Sequence, residues 1–544
     1  MSKKFIMSKK PEHFPYRKCR SSQKEAIEFI LNEFLGSNKK FVILEAGTGV
    51  GKSAIGYTVA KNILTSLKKT VDYEIGSYFI TTQKILQDQY LRDFSKHGMN
   101  SIKSSTNYQC FFHKQNACST SLRLLKNTDR ESRFFKSCIR NCNYKNEKKN
   151  FIDGSLGVTN FPYFLAETSY SGKLEPRQLL VIDEAHNIET QLSNFVEITV
   201  SDRFARKLLK LPMPDLRTQE QAFEWINNVY VPKLRSHIKH VEEMLEKYSG
   251  LKQKLKDFTT ISRQYELLDK HICKVNRFLQ IYNSNNWVYN QIDAQGRGSK
   301  KIEFKPIDVS PYTEEMLFKF GEKVIMMSAT ILDKESFCES LGLSLDEVSF
   351  ISIKSPFPAK NRPVYFVPIG RMNKSNIDNS LPKMAVAVRK ILAKHKNQKG
   401  VIHTHTYKIA NYIKKNVKDR RLLIHDGETR DETLEKHRKS KRPTVLLSPS
   451  MTEGVDLAND TSRFQVVCKI PYPYLGDKMV MQRMNRWKWW YPLQTVKTLI
   501  QSVGRSIRSS EDYAVTYILD EDFKNFFSRN IKYFNDSFLE SYKR

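Results

Sequence analysis

The segment Glu45–Ser53, with the sequence EAGTGVGKS, restricts the fold of this chain more than any other stretch. It follows the apolar run Phe41–Leu44, and apolar residues recur at helical spacing after Lys52. This order predicts a buried strand, a glycine-rich turn and a helix that begins at about Lys52. Such a turn presents backbone N–H groups to an anion at a helix N-terminus. A chance glycine-rich turn would lack the flanking strand and helix, so the pattern predicts a phosphate-binding loop (P-loop) and a nucleoside triphosphate ligand.

Side chains and backbone of this loop have distinct expected roles. Lys52 is expected to reach the terminal phosphates, and the Ser53 hydroxyl is expected to complete the coordination of Mg²⁺. Ala46 replaces the first glycine of the usual pattern, a variant that the other glycines allow. The remaining predicted nucleotide contacts are Gly47, Thr48, Gly49 and Gly51.

Two adjacent carboxylates follow a second apolar strand, Gln178–Ile182. Asp183 is expected to hold Mg²⁺ through water, and Glu184 is expected to orient and deprotonate the attacking water. His186 is placed to relay the state of the nucleotide to nucleic acid or to a facing domain. Carboxylates that only cap a helix are the alternative. The order of strand, carboxylates and P-loop favours a site for nucleotide hydrolysis.

Polar residues near the P-loop suit the other parts of two ligands. Arg20 and Gln23 precede it, and a glutamine amide can donate to and accept from the edge of adenine. Thr81 and Thr82 end a predicted strand, where hydroxyls can bind phosphodiester oxygens, although ordinary helix capping is the alternative. Thr330, after the strand Val324–Met327, is assigned to the same nucleic-acid contact.

Composition points to a polyanionic partner. The 544 residues are too many for one core and predict two to four domains. The net charge of +32 is spread along the chain and favours nucleic acid, although a lysine-rich proteome is the alternative. Neither a membrane-spanning run nor a secretory signal is visible. We therefore expect no membrane partner and a cytoplasmic, nucleoid-associated or nuclear location, with cysteines reduced or metal-bound.

Four cysteines lie in a polar stretch, 101–150, that interrupts the α/β pattern. They are Cys110, Cys118, Cys138 and Cys142. A polar segment of this kind buries little apolar area, so it predicts a metal centre. The spacing leaves zinc and an iron–sulfur cluster open, and a disulfide pair is less favoured.

Residues 200–300 have helical periodicity, which predicts a helical insertion of about a hundred residues rather than a coiled-coil arm. The proline-rich connector Lys354–Pro358 then predicts a domain boundary. Strands alternate with helices after it, which predicts a second parallel sheet. The predicted strands are Val364–Val367, Gly400–His403, Leu422–Ile424, Thr444–Leu447, Phe464–Lys469 and Ala514–Ile518.

The second α/β unit has its own candidate residues. Gln501, Arg505 and Arg508 share one helix face, and the arginines are candidate fingers for the γ-phosphate. Asp456, in the stretch EGVD, is included among the nucleotide-binding residues. The run Trp487–Tyr491 could stack on bases or, equally well, pack on the domain core.

In their order, EAGTGVGKS, TTQ, four cysteines, DEAH, SAT, EGVD and QSVGRSIR resemble the XPD/DinG-like, iron–sulfur-containing superfamily 2 DNA helicases, from about Arg20 to about Phe523. The resemblance implies two RecA-like parallel-sheet motor domains with ATP and Mg²⁺ in the cleft. It also implies a cluster insertion and a helical arch in the first domain. The implied boundaries are 1–105, 151–198 and 306–355 for the first motor domain, 106–150 for the cluster, 199–305 for the arch and 356–544 for the second motor domain.

The same resemblance implies a [4Fe–4S] cluster on the four cysteines, an adenine-sensing role for Arg20 and Gln23, and finger roles for Arg505 and Arg508. It further implies 5′ to 3′ translocation on single-stranded DNA and unwinding of forked or tailed duplexes, by a monomer. Three alternatives differ in chemistry. They are a translocase that remodels DNA or RNA without unwinding, a clamp that only binds ATP, and a zinc-stabilised binding module.

Overall fold

The computed structural model describes residues 10–47, 49–114, 117–126, 129–248, 255–293, 299–425, 429–449, 459–503 and 512–543. The strands of this part are β1 (Phe41–Ala46), β2 (Glu74–Thr81), β3 (Met99–Ser101), β4 (Leu156–Asn160), β5 (Arg177–Asp183), β6 (Ile198–Ser201), β7 (Trp287–Ile292), β8 (Lys301–Pro306), β9 (Gly321–Ser328), β10 (Val348–Ile353), β11 (Val364–Gly370), β12 (Gly400–His403), β13 (Leu422–Ile424), β14 (Val445–Ser448), β15 (Phe464–Val467), β16 (Val515–Asp520) and β17 (Tyr542–Lys543).

The α-helices of the same residues are α1 (Ser21–Leu31), α2 (Lys52–Ser66), α3 (Lys84–Phe94), α4 (Cys118–Lys126), α5 (Arg133–Arg140), α6 (Asn143–Asp153), α7 (Phe161–Ala166), α8 (Ile188–Val196), α9 (Asp202–Leu209), α10 (Gln219–Trp225), α11 (Val231–Tyr248), α12 (Leu255–Ile281), α13 (Ser310–Met316), α14 (Lys334–Leu341), α15 (Ile377–Lys394), α16 (Tyr407–Asn416), α17 (Arg430–Lys439), α18 (Lys478–Arg486), α19 (Trp490–Val503), α20 (Asp522–Asn530) and α21 (Asp536–Ser541). In this part of the chain, no helix is long and apolar enough to cross a membrane.

The first sheet contains seven parallel strands in the order β10-β1-β9-β5-β2-β4-β3. Every residue of β1 and β5 is buried, as expected for strands covered on both faces. Because β1, β9 and β5 are neighbours, their carboxyl ends meet at one edge. This order brings together the P-loop, the Ser328–Thr330 stretch and Asp183.

The cysteine-bearing insertion lies between β3 and β4 and contains α4, α5 and α6. Its small apolar cluster consists of Phe134 together with Cys118, Cys138 and Cys142, each less than 9% exposed. The insertion therefore has a minor core in which thiols replace aliphatic side chains.

The second insertion is helical in α9 to α12, as predicted, but its last part is not. Strands β7 and β8 pair antiparallel, and β8 also pairs with β6, in register Ile198 with Phe304. The prediction of helix through residue 300 is therefore wrong for β7, and this three-stranded sheet forms the base of the helical insertion. The pairing of β6 with β8 joins segments about a hundred residues apart, which local periodicity does not encode.

The second sheet contains seven parallel strands in the order β13-β14-β12-β15-β16-β11-β17. The six strands predicted from the sequence are all present, with ends shifted by up to three residues. The edge strand β17 has two residues and was not predicted, because so short a segment has no readable alternation. The domain boundaries drawn from the sequence stay predictions.

Helix α18 of the second domain packs on the base of the helical insertion. Trp487 and Trp490 share an apolar cluster with Val288 and Ile307, and the indole N–H of Trp489 donates to Glu339 at 2.7 Å. Of the two interpretations of the Trp487–Tyr491 run, packing is therefore the one realised, and it involves both domains. Trp487 and Trp490 pack on the first domain, whereas Trp489 also packs on the core of the second domain and Tyr491 stacks on Tyr472.

Candidate functional site

The P-loop leaves β1 and ends at the first turn of α2, as predicted. Gly49 and Gly51 have φ of +83° and +90°, a left-handed conformation that favours glycine. Lys52 is the first residue of α2, and its Nζ donates to the carbonyl of Ala46 at 3.2 Å. Ser53 is half-buried on the same turn. Thr48 lies outside the described residues.

Arg20 and Gln23 contact the outer side of the P-loop. The Arg20 guanidinium donates to the carbonyl of Gly49, and the Gln23 amide donates to the carbonyl of Val50 at 3.0 Å. The Gln23 side-chain oxygen accepts from the Arg20 backbone N–H at 3.0 Å. These two residues therefore fix the shape of the loop, and a role in reading adenine stays a prediction.

Asp183 and Glu184 lie at the carboxyl end of β5, beside Lys52. Asp183 accepts hydrogen bonds from the Tyr90 hydroxyl at 3.1 Å and from the Glu184 backbone N–H at 2.9 Å. Burial and the neighbouring Glu184 carboxylate raise the pKa of Asp183 to about 6, although Lys52 opposes the shift. Because a bound Mg²⁺ would favour the charged form, this buried carboxylate has the chemistry of a metal ligand.

His186 joins the carboxylate end of the first domain to the second domain. Its Nδ1 lies 2.8 Å from the Ser328 hydroxyl and 3.3 Å from a Glu184 carboxylate oxygen. Its Nε2 lies 3.0 Å from the Gln501 amide, which also donates to the Thr330 hydroxyl at 3.4 Å. A chain of polar contacts therefore runs from Glu184 across the domain interface to α19.

The structure places one of the four site residues predicted in the second domain. Arg505, Arg508 and Asp456 lie outside the described residues. Gln501, on the last turn of α19, is the member of this group that the structure places at the interface. The finger roles therefore stay predictions.

The structure corrects the assignment of Thr81 to a direct phosphate contact. Its side chain is fully buried, and its hydroxyl donates to the backbone carbonyls of Gln83 and Thr159. A buried, internally bonded hydroxyl cannot reach a phosphodiester in this arrangement. Thr82 is half-buried, and Thr330 is buried with its hydroxyl bound to Gln501, so their DNA contacts stay predictions.

The four predicted cysteine ligands lie near one another. The sulfur atoms of Cys118 and Cys142 are 3.6 Å apart, and burial together with the neighbouring thiols raises the pKa values of Cys118 and Cys138. The Cys110 thiol accepts a hydrogen bond from the His113 backbone N–H at 3.3 Å. Among the residues that the structure describes, however, no three metal-ligating side chains are arranged to hold a metal ion.

Three residues of this site were not predicted from the sequence. Tyr90, on α3, donates to Asp183, and Lys497, on α19, donates to the His186 carbonyl at 2.7 Å. Glu45 accepts from the Leu332 backbone N–H at 2.8 Å and so ties β1 to the segment after Thr330. Lys497 precedes Gln501 by four residues, and this shared helix face is a signal that could have revealed it.

Two protein families match the chain. The family described as "Helicase C-terminal domain" matches residues 389–539, and the family described as "Type III restriction enzyme, res subunit" matches residues 17–211. The match to the helicase family covers most of the domain built on the second parallel sheet. The match to the restriction-enzyme family contains the P-loop, the cysteine insertion and the paired carboxylates.

Curated relatives cover the chain to different extents. A protein of Methanocaldococcus jannaschii named probable ATP-dependent helicase is 22% identical over 95% of this chain and 94% of its own length. The ATP-dependent DNA helicase YoaA of Haemophilus influenzae is 22% identical over 89% of this chain and 88% of its own length. The DinG helicase of Photobacterium profundum is 25% identical over 43% of this chain, and this match covers 36% of its own length.

Solved structures that share the fold include the following two. One named XPD helicase has a TM-score of 0.63 at 17% identity and covers 95% of this chain and 98% of its own. The S. tokodaii Xpd4 structure has a TM-score of 0.56 at 15% identity and covers 94% of this chain and 97% of its own. The predicted fold class, two RecA-like parallel-sheet domains with insertions in the first, is confirmed. In its domain matches, relatives and fold, the chain resembles the XPD/DinG-like superfamily 2 helicases, as its motifs predict.

Proposed function

We propose that this protein is an ATP-dependent DNA helicase that moves 5′ to 3′ on single-stranded DNA and unwinds duplex. The observation that carries the proposal is the polar chain from Glu184 through His186 to Gln501. It links the side chain assigned to water activation with the domain opposite the P-loop. An enzyme that steps along DNA needs such a link, because hydrolysis at one domain has to change the position of the other.

Residues of both domains divide the chemistry of ATP hydrolysis. Lys52 and the first turn of α2 would bind the phosphates of ATP, and Ser53 and Asp183 would hold Mg²⁺, which would neutralise charge on the phosphate oxygens. Glu184 orients the attacking water and accepts its proton. Arg505 and Arg508 are proposed to stabilise the negative charge that grows on the γ-phosphate.

DNA is the proposed substrate because the net charge of the chain and the names of its relatives both favour it. The net charge of +32 suits a phosphodiester chain, and YoaA and DinG carry the name DNA helicase. Polarity and unwinding rest on the resemblance to the XPD/DinG-like group. Single-stranded DNA and forked or tailed duplexes are the proposed substrates, and a monomer is the proposed active form.

A [4Fe–4S] cluster is proposed on Cys110, Cys118, Cys138 and Cys142. The donor chemistry suits a cluster, because four thiols lie in one small insertion and three of them form part of its apolar core, but in the described residues no three of these side chains are arranged around a metal position. The raised thiol pKa values describe protons that a bound metal would displace. The cluster would hold the insertion together, and no step of ATP hydrolysis passes through it.

Strand separation on two matched duplexes tests the proposal. One duplex carries a 5′ single-stranded tail and the other a 3′ tail, and iron and sulfide are assayed in the same preparation. Unwinding of the 5′-tailed duplex alone, abolished in Lys52→Ala and retained in the exposed-lysine control Lys68→Ala, is the expected result. ATP turnover without unwinding of either duplex would replace the helicase assignment with that of a translocase.

A further inference from the structure

An aromatic side chain of the connector between the two sheets reaches the P-loop. The connector runs from the end of β10 at Ile353 to the start of β11 at Val364. Phe357, in its middle, is only 7% exposed although it belongs to neither sheet. Its apolar partner in the second domain is Ala514, which precedes β16. The ring is therefore buried at the junction of the two domains.

The ring of Phe357 lies directly on Gly49 of the P-loop. A Cβ atom built on Gly49 would lie 2.1 Å from Cζ of that ring and 2.9 Å from Cε2. No side chain larger than hydrogen fits at this position, so the ring packs against the bare backbone of the loop. On the other side, the Gly49 carbonyl accepts a hydrogen bond from Arg20. A change in the backbone conformation at Gly49 therefore displaces the Phe357 ring or breaks the hydrogen bond from Arg20 to the Gly49 carbonyl.

The other end of the contact is fixed to the second domain. The Arg362 side chain donates from Nε to the Phe357 carbonyl at 3.3 Å and from Nη2 to Glu540 at 3.1 Å. It also donates to the Ser537 carbonyl. The Ala514 backbone N–H donates to the Asn361 carbonyl at 2.9 Å. The connector around Phe357 thus moves with β16 and α21 of the second domain.

We infer that Phe357 is a positioning residue that couples nucleotide binding at the P-loop to the placement of the second motor domain. This inference rests on the proposed function and names a second route between the domains, separate from the route through His186 and Gln501. Phosphates bind to the backbone N–H groups of the loop, so binding fixes the geometry at Gly49. The ring transfers that geometry to the connector, and the connector carries it to the second domain through Arg362.

Thermodynamic coupling between nucleotide and DNA measures this role. The affinity for a fluorescein-labelled single strand is determined by anisotropy without nucleotide and with a non-hydrolysable ATP analogue, and the ratio of the two values is the coupling factor. Linkage requires the same factor for the effect of DNA on the affinity for the analogue. In the wild-type protein we expect the two DNA affinities to differ by about five- to a hundredfold.

Phe357→Ala is expected to bring the coupling factor to within about twofold of one, with the nucleotide-free DNA affinity unchanged. Phe357→Leu keeps part of the apolar contact and is expected to give an intermediate factor, which also serves if the alanine variant does not fold. Tyr365→Ala is the matched control, because this aromatic lies in β11, is 40% exposed and stacks on Tyr517. The control is expected to retain the wild-type factor.

A wild-type coupling factor in both Phe357 variants would overturn the inference, and so would a wild-type protein that binds both ligands with a factor of one. A fall in DNA affinity that is equal with and without the analogue would also overturn it, because a purely structural defect leaves the ratio unchanged. Failure of the wild-type protein to bind ATP or DNA would instead refute the proposed function. The two failures are therefore distinguishable.

Discussion

Replacing Gln501 by alanine removes the amide that joins α19 to the carboxylate end of the first domain. The amide makes a 3.0 Å contact with His186 Nε2 and a weaker 3.4 Å contact with the Thr330 hydroxyl, both half-buried. A neutral hydrogen bond of this kind contributes about 0.5–1.5 kcal/mol net. The pair therefore contributes about 1–2 kcal/mol to the closed arrangement. We expect Gln501→Ala to lower kcat/KM for ATP, measured with saturating single-stranded DNA, by about five- to thirtyfold.

A double-mutant cycle separates coupling from a general defect. If Gln501 acts through His186, then Gln501→Ala in a His186→Ala background has a much smaller effect than in the wild-type background, with a coupling energy of about 1 kcal/mol. Thr498→Ala is the control on the same helix, because, within the described part of the chain, the Thr498 hydroxyl donates to the Gln494 carbonyl of α19 itself, at 2.9 Å. Additive effects of the two substitutions, or wild-type turnover in Gln501→Ala, would refute the reasoning.

Three further predictions concern the helical insertion, the contact of α18 with the first domain, and the cysteine insertion. Burial, and to a lesser degree Lys274, lowers the pKa of His271 from 6.5 to about 4, and its Nε2 lies 2.8 Å from the Tyr230 hydroxyl. Between these two pKa values the unfolded chain binds more protons than the folded chain, so the free energy of unfolding of the helical insertion falls by up to about 3 kcal/mol as pH falls from 6.5 towards 4. Hydrogen exchange in α11 and α12 is expected to become faster over this pH range, and His271→Phe is expected to suppress the effect. Arg483→Ala leaves the half-buried Glu189 carboxylate without its domain-crossing partner and is expected to weaken the α18 interface by about 1–3 kcal/mol, seen as faster chymotryptic cleavage near α18; adding Glu189→Gln should restore part of the resistance. Cys142→Ser is expected to remove iron and to make the cysteine insertion protease-sensitive while ATP binding persists; retention of iron would contradict the proposed ligand set.

Local patterns predicted the elements whose signals are contained within about fifteen residues. The bounds of α3, Lys84–Phe94, follow from its apolar spacing, and the start of α2 at Lys52 follows from the glycines before it. The carboxyl ends of β1 and β5 could be placed at one edge because parallel strands with helical crossovers always present those ends together. The P-loop, Asp183 and Glu184 were therefore accessible from the sequence.

Residues that meet only in three dimensions were not accessible in this way. The pairing of β6 with β8, the hydrogen bond from Tyr90 to Asp183 and the packing of Phe357 on Gly49 each join segments far apart in the chain. Thr81 had a suitable hydroxyl at a suitable strand end, yet the fold buries it and satisfies it internally.

The sequence by itself determined the two parallel sheets, the nucleotide loop and the paired carboxylates, because hydrophobic periodicity and turn chemistry are local properties. The tertiary structure decided which polar groups face one another across the domain interface. Those pairings depend on how the packed helices and connector are oriented, and side-chain identity alone does not specify that orientation.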